Sequence, residues 1–393
     1  MKRMVATVAI LSVFTLAVCF ILIGAVSVEL KARLGVGNAE IGALTFTFFL
    51  TCLVVQLVVG PLVDRYGHKP IAVVGFCFAS LSIFLLAYAP TLALTKLATV
   101  FLGCGAICCN TVGNTLLPVV LFDGREPARA SNLGNGFVGL AFVLVPLSIV
   151  TLIGLGWSYS LTLSVIAALV LGFALFALIP AYPAVATGFA FSRALGLLRR
   201  PAVLVGGLAL LCYLGLEIGI STWTRTLMTD LGGGADNPAA VRHAGWVLSL
   251  FGLAMALGRF GSSAIKNLTE IGSRVVAGCT MVAMLAIGVL IKAAQPVTAA
   301  AAIIVIGLAL APIFATIVGV TFDQFEPDLY GSIFGIIFSV GLIGPAFLPR
   351  LIGTLSVGRT VQQSLPVAVG VGALLILLAL IMGRIRSGHR QAA

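Results

Sequence analysis

The sequence has few charged residues and very few acidic ones. Only 9% of its 393 residues are charged, and Asp and Glu together number 12. A soluble globular domain carries about a quarter charged residues, which excludes an ordinary water-soluble fold. Because 60% of the residues are apolar, most of the molecular surface must face lipid. We therefore expect an integral membrane protein.

The sequence also lacks the motifs of several functional classes. The net charge is +11, but no basic face with interleaved aromatic residues suggests a nucleic-acid partner. The absence of a G-x-x-x-x-G-K-S/T loop argues against ATP as the energy source. No catalytic carboxylate pair or nucleophile–base pair indicates an enzyme. The eight cysteines lie in apolar runs without a C-x-x-C pair, so no metal, cofactor or disulfide framework is predicted.

Long apolar runs make up most of the chain. A membrane-spanning helix needs about 20 mostly apolar residues. Twelve such segments are predicted, at approximately 5–28, 39–63, 70–89, 94–120, 131–154, 157–180, 201–228, 241–264, 274–293, 296–320, 329–353 and 364–384. The first run is too long for a signal peptide and lacks a cleavage site, so we expect a spanning helix there.

The longest interior break, 181–200, divides the predicted segments into six and six. It is basic and amphipathic enough to lie along the cytoplasmic membrane interface as a linker. This predicts an N-terminal six-helix bundle at 1–180 and a C-terminal one at 201–393. The stretch Asp64-Arg65-Tyr66-Gly67 is echoed by Gly258-Arg259-Phe260-Gly261, which suggests that the two bundles are related.

The distribution of Lys and Arg predicts the orientation. With the N-terminus inside, fifteen of these residues fall on the cytoplasmic side and eight on the outer side. Since basic residues favour the cytoplasmic side, both termini are predicted to be cytoplasmic. We expect a monomer in a bacterial inner (plasma) membrane.

A short polar stretch, residues 60–70, separates the second and third segments. It resembles the loop between helices 2 and 3 of the major facilitator superfamily, whose pattern is G-x-L-x-D-R-x-G-R/K-R/K. His68 stands where a basic residue is usual, and the matching residues are Gly60, Leu62, Asp64, Arg65, Gly67 and Lys69. We expect Gly60 and Gly67 to allow a tight turn between the helices.

The resemblance implies an all-α membrane fold of twelve transmembrane helices in two pseudo-symmetric six-helix bundles. It also implies transport by alternating access, because the two bundles of such folds rock about a central site. The expected conformational gate consists of Gly60, Asp64, Arg65, Gly67, Lys69 and Arg259.

Glu217 is the acid most clearly buried, near the middle of the seventh segment. A charge at that depth costs at least about 2.5 kcal/mol, so Glu217 is expected to face a cavity or a partner. Helical spacing places Tyr213, Ser221 and Thr224 on the same side. Burial favours the protonated carboxyl, so Glu217 is the predicted proton-coupling residue. The alternative is a structural acid bonded to a neighbouring helix.

Five residues of the seventh segment resemble helix 7 of the fucose-permease type of sugar/proton symporters. They are Tyr213, Gly215, Glu217, Ile220 and Trp223. The buried Asp that carries protons in helix 1 of that family has no counterpart, since Glu29 falls at the outer end of the first segment. The resemblance implies a sugar as one candidate solute.

Asn110 and Asn114 share one face of the fourth segment. An amide donates and accepts hydrogen bonds, which suits a solute with several hydroxyl groups, but it also joins helices in lipid. The predicted substrate-binding residues are Asn110, Asn114, Tyr213, Ser221, Trp223 and Thr316. Thr316 is included because helices 1, 4, 7 and 10 line the central cavity in the superfamily.

The sequence therefore predicts a secondary active transporter that moves a small polar solute by proton-coupled symport. The alternative is a proton-coupled antiporter that exports a drug or metabolite. The expected partners are the solute, protons and the lipid bilayer.

Overall fold

The computed structural model describes residues 2–121, 127–183, 196–197, 199–263, 268–325 and 330–392. Within these ranges the regular structure is entirely helical. The helices, numbered in chain order, are α1 (Lys2–Ala25), α2 (Ser27–Leu34), α3 (Asn38–Tyr66), α4 (His68–Tyr88), α5 (Leu92–Val120), α6 (Pro127–Gly154), α7 (Tyr159–Ala177), α8 (Pro201–Leu231), α9 (Pro238–Ser263), α10 (Leu268–Lys292), α11 (Pro296–Leu310), α12 (Ile313–Phe322), α13 (Tyr330–Gly341), α14 (Ile343–Leu355), α15 (Val361–Ser364) and α16 (Pro366–Ala392).

Twelve spans in the described part of the chain are long and apolar enough to cross a membrane. The predicted number of segments and the all-α fold class are confirmed. The tenth and eleventh segments are not single helices as expected. The tenth breaks between α11 and α12 at Pro312, and the eleventh breaks between α13 and α14 at Leu342. Proline lacks an N–H donor and its ring clashes with the preceding turn, which explains the first break.

The stretch 60–70 is more helical than the sequence suggested. α3 continues through Pro61 to Tyr66, and only Gly67 separates it from α4. Gly67 has a φ of 80°, a conformation that a side chain disfavours. Gly60 lies inside α3 and is buried, so the expectation that it forms part of the turn is wrong.

The first predicted segment ends earlier than expected and is followed by the short helix α2. α1 stops at Ala25, and α2 ends at Leu34, where the left-handed backbone of Gly35 caps the helix. We call the end of the bundle that carries the α1–α2 connection the junction end. The opposite end, where α1 and α8 begin, is the terminal end.

Helices from both sides of residues 181–200 pack against each other. α1 contacts α8, α3 contacts α14, and α6 contacts α9. Each of these helices also packs among neighbours from its own part of the chain; α1, for example, lies against α5 and α6. The division into two bundles at 181–200 stays a prediction, because most of that stretch lies outside the described residues.

Candidate functional site

α8 lies at the centre of the molecule and is buried on every side from Cys212 to Thr229. The predicted polar stripe is inside this buried stretch. Ser221 donates a hydrogen bond to the carbonyl oxygen of Ile218, and Thr224 donates to that of Ile220. These two hydroxyls are therefore satisfied by their own helix, whereas Tyr213 and Glu217 have a partner on another helix.

That partner is Arg259 of α9. Its Nη2 lies 3.0 Å from Oε1 of Glu217 and 3.4 Å from the hydroxyl oxygen of Tyr213. Because α8 and α9 are neighbours in the bundle, an arginine near the end of α9 can reach the middle of α8. A buried carboxylate needs a counter-charge, and Arg259 supplies it. The sequence predicts Arg259 as a gate residue and gives no signal for this contact.

The two members of this ion pair differ in accessibility. The Glu217 side chain is 7% exposed and the Arg259 side chain is 23% exposed. Tyr213 is fully buried. The guanidinium is therefore the more exposed of the two charged groups.

An aromatic cluster extends from Tyr213 to side chains of α12 and α13, next to the breaks in the tenth and eleventh spans. The rings of Tyr213 and Phe314 are 6.1 Å apart, and Phe314 is 6.5 Å from both Phe334 and Phe338. Phe334 and Phe338 stack on each other at 5.4 Å. The ion pair thus has an apolar wall beside it, and charges interact more strongly in such surroundings than in water.

A second polar cluster lies on α5 and α3. Asn114 donates to the side-chain oxygen of Asn110 at 2.7 Å, and Asn110 donates to Gln56 at 3.4 Å. Asn110 is buried, whereas Asn114 is exposed. Gln56 was not predicted as a site residue. An amide in the middle of the apolar second segment is the signal that could have identified it.

The remaining predicted substrate-binding residues are packed between helices. The indole nitrogen of Trp223 donates to the carbonyl oxygen of Pro349 at 3.0 Å, so the ring is held against α14. Thr316 is buried and donates to the carbonyl oxygen of Pro312 at 2.6 Å. Both residues have polar partners from the protein itself, and their role in solute binding stays a prediction.

A second buried ion pair lies at the junction end. Arg225 of α8 binds both carboxylate oxygens of Glu29 in α2 through Nη1 and Nη2, and it also donates to the carbonyl oxygen of Ala25. The Arg225 side chain is 1% exposed. Ser27 and Thr226 add a hydroxyl contact at 3.3 Å beside it. These contacts join the chain before residue 181 to the chain after residue 200.

α3 also packs closely against α14 at the junction end. A Cβ at Gly42 would lie 2.9 Å from the Cα of Arg350, so only glycine allows this approach. The Arg350 guanidinium lies over the ring of Phe46 at 4.5 Å from its centroid. The ring of Phe46 in turn packs edge-on against Phe347 at 5.2 Å.

The predicted gate residues other than Arg259 lie at the terminal end. Asp64 and Arg65 are exposed in the last turn of α3, and Arg65 lies over the ring of Tyr66. His68, at the position where the motif usually has an exposed basic residue, is buried. Its Nε2 lies 2.9 Å from the hydroxyl oxygen of Thr115. Asp328, which precedes α13 in the sequence, lies outside the described residues.

Comparison with known proteins identifies the family. The family model of the Major Facilitator Superfamily matches residues 8–349. The multidrug resistance protein MdtL of Shewanella oneidensis is 29% identical over 118 residues, which is 30% of each chain. The chromaffin granule amine transporter of Rattus norvegicus is 32% identical over 107 residues, which is 27% of this chain and 20% of the relative. The alignments therefore span less than a third of these relatives.

Two solved structures share the fold over nearly the whole chain. A crystal structure of a variant of the nucleoside transporter NupG has a TM-score of 0.79 at 16% identity, covering 96% of this chain and 99% of that one. A bacterial homologue of the human lysosomal transporter Spinster, solved inward-facing and occupied, has a TM-score of 0.75 at 14% identity, covering 96% of each chain. The likeness of α8 to fucose permeases stays a prediction that rests on five residues.

Proposed function

The chain belongs to the major facilitator superfamily, and we propose that it carries a small polar solute across the membrane together with protons. The observation that carries this proposal is the pairing of Glu217 with Arg259 in the centre of the bundle. Ionisable residues in the middle of membrane-spanning helices are costly, and they commonly form proton relays or solute sites.

The ion pair gives a physical route for proton coupling. While Arg259 bonds to Glu217, the positive charge of the guanidinium balances the negative charge of the carboxylate, so the carboxylate can stay ionised. When Arg259 is drawn away, Glu217 is left as an isolated charge in an apolar site, and taking up a proton is the least costly way to neutralise it. A change in the position of Arg259 is thereby converted into proton uptake or release at Glu217.

The amide cluster of α5 is proposed as a second part of the solute-binding site. Asn114 is exposed although it lies in an apolar helix whose other faces pack against α1, α3, α4 and α6. Asn110 and Gln56 hold it in place through the hydrogen-bond chain described above. Tyr213, Ser221, Trp223 and Thr316 complete the proposed set of solute-binding residues.

The two ends of the bundle are proposed to act as alternating gates between an N-terminal bundle (1–180) and a C-terminal bundle (201–393). The Glu29–Arg225 pair and the α3–α14 contact support closure of the junction end. The motif residues Asp64, Arg65 and Lys69 are the proposed gate of the terminal end. We place both termini in the cytoplasm, which makes the junction end the outer one, and we expect a monomer in a bacterial inner membrane.

Reconstituted vesicles with an internal pH-sensitive dye test this function. Solutes that raise the melting temperature of the purified protein are added outside, because a ligand of the folded state stabilises it. Symport predicts that the vesicle interior becomes acidic as the solute enters. Solute uptake without any change of internal pH would refute proton coupling.

Proton-coupled export of an organic amine or drug is the second candidate. The names of the two sequence relatives, a multidrug resistance protein and an amine transporter, favour it. The aromatic cluster around Phe314 would suit such a solute, because cations bind aromatic faces. In the same vesicles an antiporter would make the interior alkaline as the solute enters, which is opposite to the result for symport.

A further inference from the structure

We infer that the transported solute is a small organic anion, which binds Arg259 and displaces Glu217 from it. The inference rests on the proposed function and names the chemical class of the solute. It follows from the geometry of the central ion pair, compared with that of the ion pair at the junction end.

The first argument is accessibility. The Arg259 side chain is 23% exposed and the Glu217 side chain only 7%. A cationic solute would have to reach the less accessible carboxylate and would leave two positive groups side by side. An anionic solute meets its complementary charge directly.

The second argument is the unused bonding capacity of the guanidinium. Arginine offers five N–H donors on a planar fork, which matches the two oxygens of a carboxylate. Within the described residues, both hydrogen bonds of Arg259 start from Nη2. Nη1 and Nε remain as donors that can take a carboxylate.

The pair at the junction end shows a guanidinium whose two terminal nitrogens are both bound to a carboxylate in the same protein. Arg225 is 1% exposed, and Nη1 and Nη2 bond to both oxygens of Glu29 and to a backbone carbonyl. The residue types are the same in both pairs. The central pair differs because its cation is more exposed and bonds through Nη2 alone, whereas Arg225 bonds through both terminal nitrogens.

Displacement of Glu217 links anion binding to proton binding. An anion on Arg259 leaves two negative groups close together in an apolar site, and both cannot stay ionised. Glu217 therefore takes one proton for each monovalent anion that binds. The site holds one arginine cation and one carboxylate before binding; afterwards it holds the arginine–anion pair and a neutral carboxyl, so its net charge does not change.

Thermal stability of the purified protein in lipid nanodiscs tests the inference with matched probes. One set is benzoate, benzamide and benzylamine, and the other is gluconate, glucose and glucosamine, all at millimolar concentration and equal ionic strength. Only benzoate or gluconate should raise the melting temperature. Because one proton binds with each anion, the apparent affinity should weaken about tenfold for each unit of rising pH.

Four variants show which residues are responsible. Arg259→Gln should abolish stabilisation by the anions. The double variant Glu217→Gln/Arg259→Gln should also abolish it, and this variant leaves no unpaired charge in the site. Glu217→Gln should bind the anions with the pH dependence removed. Arg242→Gln, at an exposed arginine of the same helix α9, serves as the control and should behave as the wild type.

Several results would overturn the inference. They are stabilisation by the neutral or cationic probes, anion binding that persists in the double variant, and no stabilisation by either carboxylate. Anion binding that is independent of pH in the wild type would refute displacement of Glu217. If a neutral solute acidifies the vesicles, the proposed function stands and this inference is wrong. If anions bind but no solute moves protons, the proposed function is wrong.

Discussion

Arg225 and Glu29 are 196 positions apart in the sequence, and the Nη1 and Nη2 atoms of Arg225 both donate to the Glu29 carboxylate. Arg225 lies in the central helix α8 and Glu29 in the short helix α2, so the pair bridges the two parts of the chain at the junction end. Since the arginine is 1% exposed, the interaction is shielded from water. Removing one partner would leave the other charge buried without a counter-charge, which destabilises the conformation that buries it.

Removing this pair should open the junction end. Losing one partner of a buried ion pair costs about 3–5 kcal/mol in the state that buries the other. Because about 1.4 kcal/mol changes a population ratio tenfold, Arg225→Gln should shift the conformational equilibrium measurably. Spin labels at the exposed positions Leu155 and Val357 should report longer distances, in a background without the native cysteines.

Arg33→Gln is the matched control for this prediction. Arg33 also lies in α2, but it contacts Ser160 at 3.4 Å and the ring of Tyr159, both within the same part of the chain. It should leave the distances unchanged. If the double variant Glu29→Gln/Arg225→Gln also leaves them unchanged, the pair does not control the junction end.

Glu217→Gln should abolish proton-driven accumulation of the solute. The amide keeps the shape of the side chain but cannot carry a proton on and off, so exchange of solute down its gradient should survive. Accumulation in vesicles with an imposed pH gradient is the measurement. Glu40→Gln is the control, because that carboxylate only accepts a hydrogen bond from the backbone nitrogen of Gly37 at 2.9 Å. Wild-type accumulation by the Glu217→Gln variant would remove Glu217 from the mechanism.

Asn114→Ala should weaken solute binding. A lost hydrogen bond costs about 1 kcal/mol, which corresponds to roughly a fivefold loss of affinity. Asn110→Ala should have a larger effect, because Asn110 also positions Asn114 and contacts Gln56. Titration of the solute by thermal shift measures both. Asn237→Ala, which removes a bond to the backbone of Gly232, is the control. Lower stability with unchanged affinity would assign the cluster to helix packing.

The number of spans and the depth of Glu217 could be predicted because both are local properties of the sequence. Apolar runs of sufficient length can be counted, and an acid in the middle of one is visible without a structure. Trp223 shows the limit of this reasoning, because its bond to Pro349 on α14 joins residues far apart in the sequence; its role in solute binding stays a prediction.

The ion pairs could not be predicted because each partner comes from a different helix. The sequence predicts Arg259 as a gate residue because of its resemblance to the Asp64–Gly67 stretch, and no local pattern pairs Arg225 with Glu29. An arginine inside an apolar segment needs an acidic partner, and this chain contains only 12 acidic residues. Applying that rule would have reduced the possible partners of each arginine to a short set. The breaks in the tenth and eleventh spans had a local signal in the sequence, because Pro312 precedes α12 and Pro345 lies in the first turn of α14.

Asp64→Asn should open the terminal end, in the opposite sense to Arg225→Gln. Asp64 is exposed in the last turn of α3, and we expect it to lie near the first turn of α13 when the terminal end is closed. A helix N-terminus carries about half a positive charge and stabilises a nearby carboxylate by roughly 0.3–2 kcal/mol. Losing that interaction should favour the state open at the terminal end, while the affinity of the central site stays nearly constant.

The two gate variants can be tested against each other. Spin labels on the terminal ends of α3 and α13 should move apart in Asp64→Asn. If the two ends are alternating gates, the double variant Asp64→Asn/Arg225→Gln weakens both closed states and should return the populations toward those of the wild type. An unchanged distribution in Asp64→Asn would show that this stretch only sets the topology. A double variant that is open at both ends would show that the two gates are not coupled, because alternating access requires one end to close as the other opens.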